Sequence, residues 1–317
     1  MTNEIDKQAL GAQTNFNLIS IGQVSLDTIE NENGFALDVL GGGGAYVAAI
    51  AGTLGVRTGL VSRIGIDFGD EKLKQLVESR VNTRGLRKVA GASTRITLRY
   101  LGEHLKDLKI LTGVGADISF TDIPSDYFST QFVHIAPAPY ETQLEAQLKM
   151  KQLGVRVAFA PHADLNDHSL SSIRRILLNV DILFANEDEV LALSKVRSLG
   201  TAIELLHGMG PSTIVATMGS RGALISHSHH SLLIPALESF AVVDHVGAGD
   251  AFAAGFLVGL IRSFPLRLCG IMGAAVASCV IQGFGLTRPT HAEINRLLDQ
   301  NRNFLESKGM PTTIPEQ

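Results

Sequence analysis

The sequence predicts an α/β protein whose mainly parallel sheet is covered by helices on both faces. Three observations carry this. Short β-rich apolar runs alternate with helical stretches along most of the chain. Residues 25–40 and 91–113 break the alternation with short strands and turns, which predicts a small second sheet beside the main one. Glycine-rich turns stand where extended runs give way to helices, the places where such sheets bind ligands.

The elements follow in order. Phe16–Val24 reads as a strand, Gly44–Leu54 as an alanine-rich helix, Thr58–Ile64 as a strand and Asp70–Ser79 as a helix. Val133–Ala136, Val155–Ala160, Asp181–Ala185 and Thr213–Thr217 are further short strands. Helices fit between them at about 141–153, 169–179, 187–194 and 200–209. Thr94–Leu101 is β-branched and partly alternating, which suits a strand of the small sheet. Ala251–Phe284 is the most apolar stretch, but Arg262, Pro265 and Arg267 cut it into pieces below the ~20 residues a membrane span needs. It predicts two small-residue helices packed inside the domain. No repeat or biased linker divides the chain, so one domain over residues 1–317 is expected.

Of the 317 residues, 45% are hydrophobic and 18% charged, enough for a large core. The net charge of −4 and the short basic patches argue against nucleic acid or a membrane as a partner. Arg84–Lys88, the longest such patch, reads as a solvated face. Cys269 and Cys279 are too few for a disulfide framework or a zinc site and read as small buried hydrophobes in a reducing compartment. Residues 1–11 are polar and acidic, unlike a secretory signal, which predicts a cytoplasmic protein.

Five segments carry chemistry. In Val243–Gly255, Gly247-Ala248-Gly249 crowds small residues where an extended run becomes a helix, so backbone N–H groups and the positive helix end make an anion site. Asp250 then stands in the first helical turn, where a carboxylate can take a proton from a hydroxyl. Gly41–Gly44 opens another helix and allows a ligand close to the backbone. It is not a dinucleotide fingerprint, because Val47 fills the third glycine position, and no P-loop occurs anywhere. Asp27 lies just past the first strand, near the ligand-binding edge, or is a solvated turn residue. Asn186 and Glu189 open a helix, as caps or as a pair orienting a hydrated Mg²⁺. Thr217, Gly219 and Gly222 form a polar turn between strands, either a plain hairpin or a nucleotide contact.

In their order and spacing across nearly the whole chain these segments resemble the ribokinase-like, or PfkB, family of carbohydrate kinases, Asp244–Gly255 most specifically and Gly41–Ala48 next. The resemblance implies a Rossmann-like three-layer core with a small β-sheet lid, and an ATP- and Mg²⁺-dependent phosphotransferase acting on a hydroxyl of a small sugar, polyol or nucleoside. It implies Asp250 as catalytic base, with Gly247, Ala248 and Gly249 as anion hole. Asp27, Gly42, Gly43 and Tyr46 become substrate contacts, Thr217, Gly219 and Gly222 line the nucleotide side, and Asn186 and Glu189 hold Mg²⁺ through water. A homodimer through the lid is compatible with it.

Three positions depart from the family pattern. Tyr46 replaces a substrate-binding Asn, His245 and Val246 replace a pair of threonines, and Ala160-Pro161-His162 replaces Asp-Pro-Asn. They leave the base and anion hole intact and open the substrate question. A ring able to pack on the Tyr46 phenol is expected to be a better acceptor than ribose or fructose. The alternatives are a non-catalytic ligand-binding member of the fold and a nicotinamide oxidoreductase, the latter opposed by the absent fingerprint. His227-Ser228-His229-His230 is expected at a hairpin tip rather than on a metal. Arg95 and Arg99 are expected to face solvent rather than a phosphorylated substrate.

Overall fold

The computed structural model describes residues 15–101, 104–161, 167–238 and 241–315. His162 and the polar end at residues 1–14 lie outside the described residues. The chain runs β1 (Leu18–Ile21), β2 (Ser25–Asn31), β3 (Gly34–Gly41), α1 (Gly43–Thr53), β4 (Thr58–Ile64), α2 (Asp70–Glu78), β5 (Val81–Lys88), β6 (Thr94–Leu101), β7 (His104–Leu111) and β8 (Phe132–Ile135). It continues through α3 (Tyr140–Gln152), β9 (Arg156–Phe159), α4 (Asp167–Leu177), β10 (Ile182–Asn186), α5 (Glu187–Ser194), α6 (Leu199–His207) and β11 (Thr213–Thr217). The hairpin β12 (Ala223–His227) and β13 (His230–Ile234) precedes α7 (Ala248–Ile261), α8 (Leu266–Val280), α9 (His291–Gln300) and α10 (Arg302–Ser307).

Among the described residues the main sheet has nine strands in the order β13–β12–β11–β10–β9–β8–β1–β4–β5. All neighbours from β11 to β5 pair in parallel, and β12 and β13 return antiparallel. Both faces are buried, which explains why the strands read as unbroken apolar runs. Leu18, Phe132, Ala158, Phe184 and Val215 point to the side covered by α1, α7, α8 and α9. Their neighbours Ile19, Val133, Val157, Phe159, Leu183 and Ile214 point to the side covered by α3 to α6.

The second sheet has the order β3–β2–β6–β7 and forms the lid. Its position is fixed by polar contacts. Asn31 Nδ2 donates to the Val243 carbonyl at 2.8 Å, and Asn33 Nδ2 reaches the Val242 and Val243 carbonyls at 3.1 Å. Arg95 donates to Asp38 at 2.5 Å within the lid and to Asp67 at 3.1 Å outside it. Arg99 pairs with Glu30 at 2.8 Å. Both arginines are thus occupied by carboxylates.

The apolar stretch near the C-terminus forms α7 and α8, broken at Ser263 (φ 58°) and Pro265. Both helices are apolar nearly all round because both are buried. Their backbones touch: a methyl carbon at Gly255 would fall 2.8 Å from the Met272 carbonyl, and one at Gly273 would fall 2.9 Å from the Phe252 ring. Among the described residues no helix is long and apolar enough to cross a membrane.

One strand was not expected. Val81–Lys88 forms the edge strand β5, and its basic residues cover that edge. Arg84 pairs with Asp126, Arg87 with the buried Asp122 at 3.0 Å, and Lys88 Nζ donates to the Phe68 carbonyl at 3.1 Å. Solvent-side charge and Gly85 conceal the alternation that would otherwise mark a strand.

Candidate active site

The parallel strands end along one edge, and the candidate residues collect there. β1 leads into Asp27 at the start of β2, β10 ends on Asn186, and β11 ends on Thr217. Asn186 and Thr217 are partners in the β10–β11 register, so the proposed metal and nucleotide positions adjoin. Arg221 of the following turn pairs with Glu187 of α5 and joins the two loops.

Helix α7 begins at the same edge. Gly247 is its N-cap with φ 77°, a left-handed conformation that disfavours other residues. The first-turn N–H groups of a helix have no acceptor within it. That of Ala248 makes a 3.3 Å contact with the His245 carbonyl. Above Gly249 the space is open: a methyl carbon there would meet nothing within 4 Å. The turn therefore offers backbone donors, a positive helix end and room for an anion.

Asp250 occupies the third position of α7. A methyl carbon at Gly43, the first residue of α1, would lie 2.7 Å from Asp250 Oδ1. One at Gly41 would lie 1.9 Å from Asp27 Oδ2. Both carboxylates thus press on the glycine loop, and any side chain in it would displace them. Gly42 (φ 93°) turns the chain between these two contacts, its Cα side closed by the Gln23 carbonyl.

Burial raises the pKa values of this cluster. Asp27 is pushed up to about 7, mainly by desolvation, with Asp244 and Asp250 adding repulsion. Asp250 is pushed up to about 6 by burial. Glu189 rises to about 7 through burial, with Asp250 and Asp188 contributing. Asn186 and Glu189 make a capping box: Asn186 Oδ1 accepts from the Glu189 N–H, and Glu189 Oε2 accepts from the Asn186 N–H, both at 2.8 Å. The cap leaves Glu189 Oε1 and the Asn186 amide nitrogen for other partners.

Tyr46 lies elsewhere than expected. It is 1% exposed, and its ring packs beneath the anion turn, where a methyl carbon at Gly247 would fall 2.2 Å from Tyr46 Cε1. The phenol offers no face to a substrate ring. The reason is tertiary: the fourth residue of α1 points at α7 once the two helix starts converge. Thr217 ends its strand partly exposed, and Gly219 (φ 57°) and Gly222 (φ 88°) shape the short helical turn after it, with open space over Gly219. Ser228 and His229 form the expected hairpin tip; His227 contacts Thr213 at 2.9 Å and His229 contacts Glu204 at 2.8 Å. Cys269 is buried and Cys279 partly so, and burial pushes both thiols up to about 12.

Asp244 is the residue that sequence reasoning passed over. It is 1% exposed, and its Oδ1 accepts from the Val246 N–H at 3.0 Å, bracing the turn from below. The signal was present, since Asp244 opens the most specific motif in the chain. The lid-tip residues Asn31 and Asn33 gave no signal, because their acceptors lie more than 200 positions away.

The description "pfkB family carbohydrate kinase" matches residues 17–293. The cytidine kinase of Thermococcus kodakarensis is 33% identical over 270 residues, covering 84% of this chain and 97% of that protein. The crystal structure of the Methanocaldococcus jannaschii nucleoside kinase, an archaeal member of the ribokinase family, superposes with a TM-score of 0.76 at 25% identity, covering 90% of this chain and 98% of that one. A protein of E. coli described as a ribokinase II, in complex with ATP and Mg²⁺, shares the fold with a TM-score of 0.80 at 19% identity, covering 90% and 99%. This chain belongs to the pfkB family of carbohydrate kinases. It is a small-molecule kinase, with ATP as the donor its family implies, and the non-catalytic alternative finds no support.

Gly247→Ala is expected to lose ~1–3 kcal/mol of stability, from a left-handed backbone and a clash with Tyr46. Gly249→Ala, entering open space inside a helix, is expected to lose none. Urea unfolding of the two variants checks this.

Proposed function

We propose that this kinase transfers the γ-phosphoryl group of ATP to a hydroxyl of a nucleoside, with Asp250 as general base. The observation that carries the reading is the Asp250 carboxylate lying against the Gly43 loop, one residue from the open cradle at Gly249. An acceptor hydroxyl on that loop meets the base on one side and the anion turn on the other. In this reading Asp27, Gly42 and Gly43 hold the acceptor. Gly247, Ala248 and Gly249 stabilise charge on the transferred group. Thr217, Gly219 and Gly222 line the nucleotide.

Asn186 and Glu189 would hold Mg²⁺ through its water shell. The donor set fits: a partly buried carboxylate with a raised pKa, near Asp250, is excess negative charge that a divalent cation relieves. Among the described residues no three His, Cys, Asp or Glu side chains are grouped to ligate a metal directly, so water-mediated binding is the form these residues support. When bound, the ion neutralises phosphate charge.

A nucleoside acceptor is supported by the relatives named cytidine kinase and nucleoside kinase, and by a cavity of about 300 Å³ between the lid and residues 242–245. Asn31, Asn33, Tyr100 and His245 line it. Asp27 and Asp244 help raise the Tyr100 pKa, so this cavity adjoins the acceptor side. The Tyr100 ring on its wall suits a heterocyclic base better than a bare sugar. The exposed lid residues Phe35, Leu37, Leu101 and Leu108 support a homodimer through the lid.

Nucleosides, cytidine among them, are expected to exceed ribose, fructose and inositol in kcat/KM by at least ~10-fold, the scale of one unpaired polar group. ADP release across that panel checks this, and a preference for ribose or fructose overturns the nucleoside reading. The base works as its anion, so turnover is expected to fall as pH drops through about 6. Glu189→Gln is expected to raise the Mg²⁺ concentration for half-maximal activity, read from a metal titration.

A further inference from the structure

Four buried oxygens in one place have no hydrogen-bond partner: Ser25 Oγ, Asp27 Oδ1, Tyr46 OH and Asp244 Oδ2. They come from β2, α1 and the loop before α7. An unsatisfied buried polar atom costs about 1–3 kcal/mol, so a bond between a donor and an acceptor of this group is stabilising. The two carboxylates, when ionised, only accept. The donors among the four are the Tyr46 and Ser25 hydroxyls. Desolvation, with Asp27 next and then Asp244 and Asp250, holds the Tyr46 pKa well above that of an ordinary phenol. That phenol therefore keeps its proton at every working pH.

We propose that Tyr46 is a positioning residue whose hydroxyl donates to Asp27 Oδ1 and so holds that carboxylate toward the phosphoryl acceptor. The inference rests on the reading of Asp27 as an acceptor contact. The geometry favours it. The Tyr46 ring is buried and lies directly under Gly247. A methyl carbon at Gly41 would lie 1.9 Å from Asp27 Oδ2 and 2.6 Å from Oδ1, so Oδ1 is the oxygen turned further from the glycine loop. The terminal torsion of an Asp side chain is broad, so the carboxylate can turn toward a neighbouring hydroxyl. Among the surrounding carboxylates, Asp27 acts most strongly on the phenol. A hydrogen bond donated to a carboxylate favours its ionised form, the form that accepts from a substrate hydroxyl. The same side chain thus supports the anion turn with its ring and orients the substrate-side acid with its hydroxyl.

The first arm of the test, unfolding, needs no substrate, so its failure is separable from failure of the nucleoside reading. The groups facing Asp27 are Ser25 on its own strand, Tyr46, Asp244, Asp250 and Tyr100. Burial pushes Asp27 up to about 7, from the 3.8 of an ordinary carboxyl group. Its burial therefore lowers stability as pH rises from about 4 to 7, and the full loss is felt above 7. Tyr46→Phe keeps the ring and removes the donor. Chemical unfolding at pH 5 and pH 8.5 is compared for wild type, Tyr46→Phe, Asp27→Asn and the double variant. Tyr46→Phe is expected to lower the folding constant at pH 8.5 by ~10-fold more than at pH 5, one pKa unit on Asp27. In the Asp27→Asn background that pH-dependent excess is expected to vanish. Equal losses at both pH values, or an excess that survives Asp27→Asn, overturn the proposal. In turnover, Tyr46→Phe is expected to raise the acceptor KM several-fold and leave the ATP KM unchanged. Equal rises in both overturn it as well.

Discussion

The approach of two helix starts organises this molecule. α1 and α7 begin at the same point on the carboxyl edge of the sheet, and they meet through glycines that no other residue could replace without displacement. Gly43 lies against the Asp250 carboxylate, and Gly247 lies against the Tyr46 ring. Both helices point their positive ends there. Such a place favours negative charge, which is why Asp27, Asp244 and Asp250 can share it at all. Desolvation still leaves all three pKa values raised, and at Asp27 repulsion from Asp244 and Asp250 adds to it.

The rest of the fold serves that junction. The parallel sheet brings the ends of β1, β10 and β11 to one edge, and with them Asp27, Asn186 and Thr217. Close packing of α7 on α8 fixes the direction from which α7 arrives. Asp244 is tied to α8 as well, since its N–H donates to the Ile281 carbonyl at 3.1 Å. The lid is fastened to the same segment by Asn31 and Asn33. The second sheet and the anion turn therefore share one strip of backbone, residues 242–247.

Much of this was legible in the sequence because its determinants are local. Thr58–Ile64 and Thr213–Thr217 announce themselves as short β-rich runs, and the helix at 187–194 begins with its own cap residues. The glycine loop and Gly247–Asp250 are readable because turn geometry and helix starts depend on neighbours in the chain. What stayed hidden depends on distant contacts. β5 escaped because its charged side chains pair with Asp122 and Asp126, some 35 to 45 positions on. Tyr46 was expected to line the substrate pocket, yet it is buried, because its surroundings are set by Gly247 about 200 positions later. Asp244 was legible as the opening of its motif, with a local bond to the Val246 N–H; what stayed hidden is the tie of its own N–H to the Ile281 carbonyl at the end of α8.

The central claim is that Asp250, held at this junction, is the base for phosphoryl transfer. The most direct measurement is acceptor-dependent ADP release by Asp250→Asn, with ADP binding followed by thermal shift. The variant keeps the size and polarity of the side chain and removes its ability to take a proton. The account predicts unchanged ADP binding and a kcat lower by ~10²-fold or more, the scale of lost acid–base assistance. Near wild-type turnover in Asp250→Asn would contradict it.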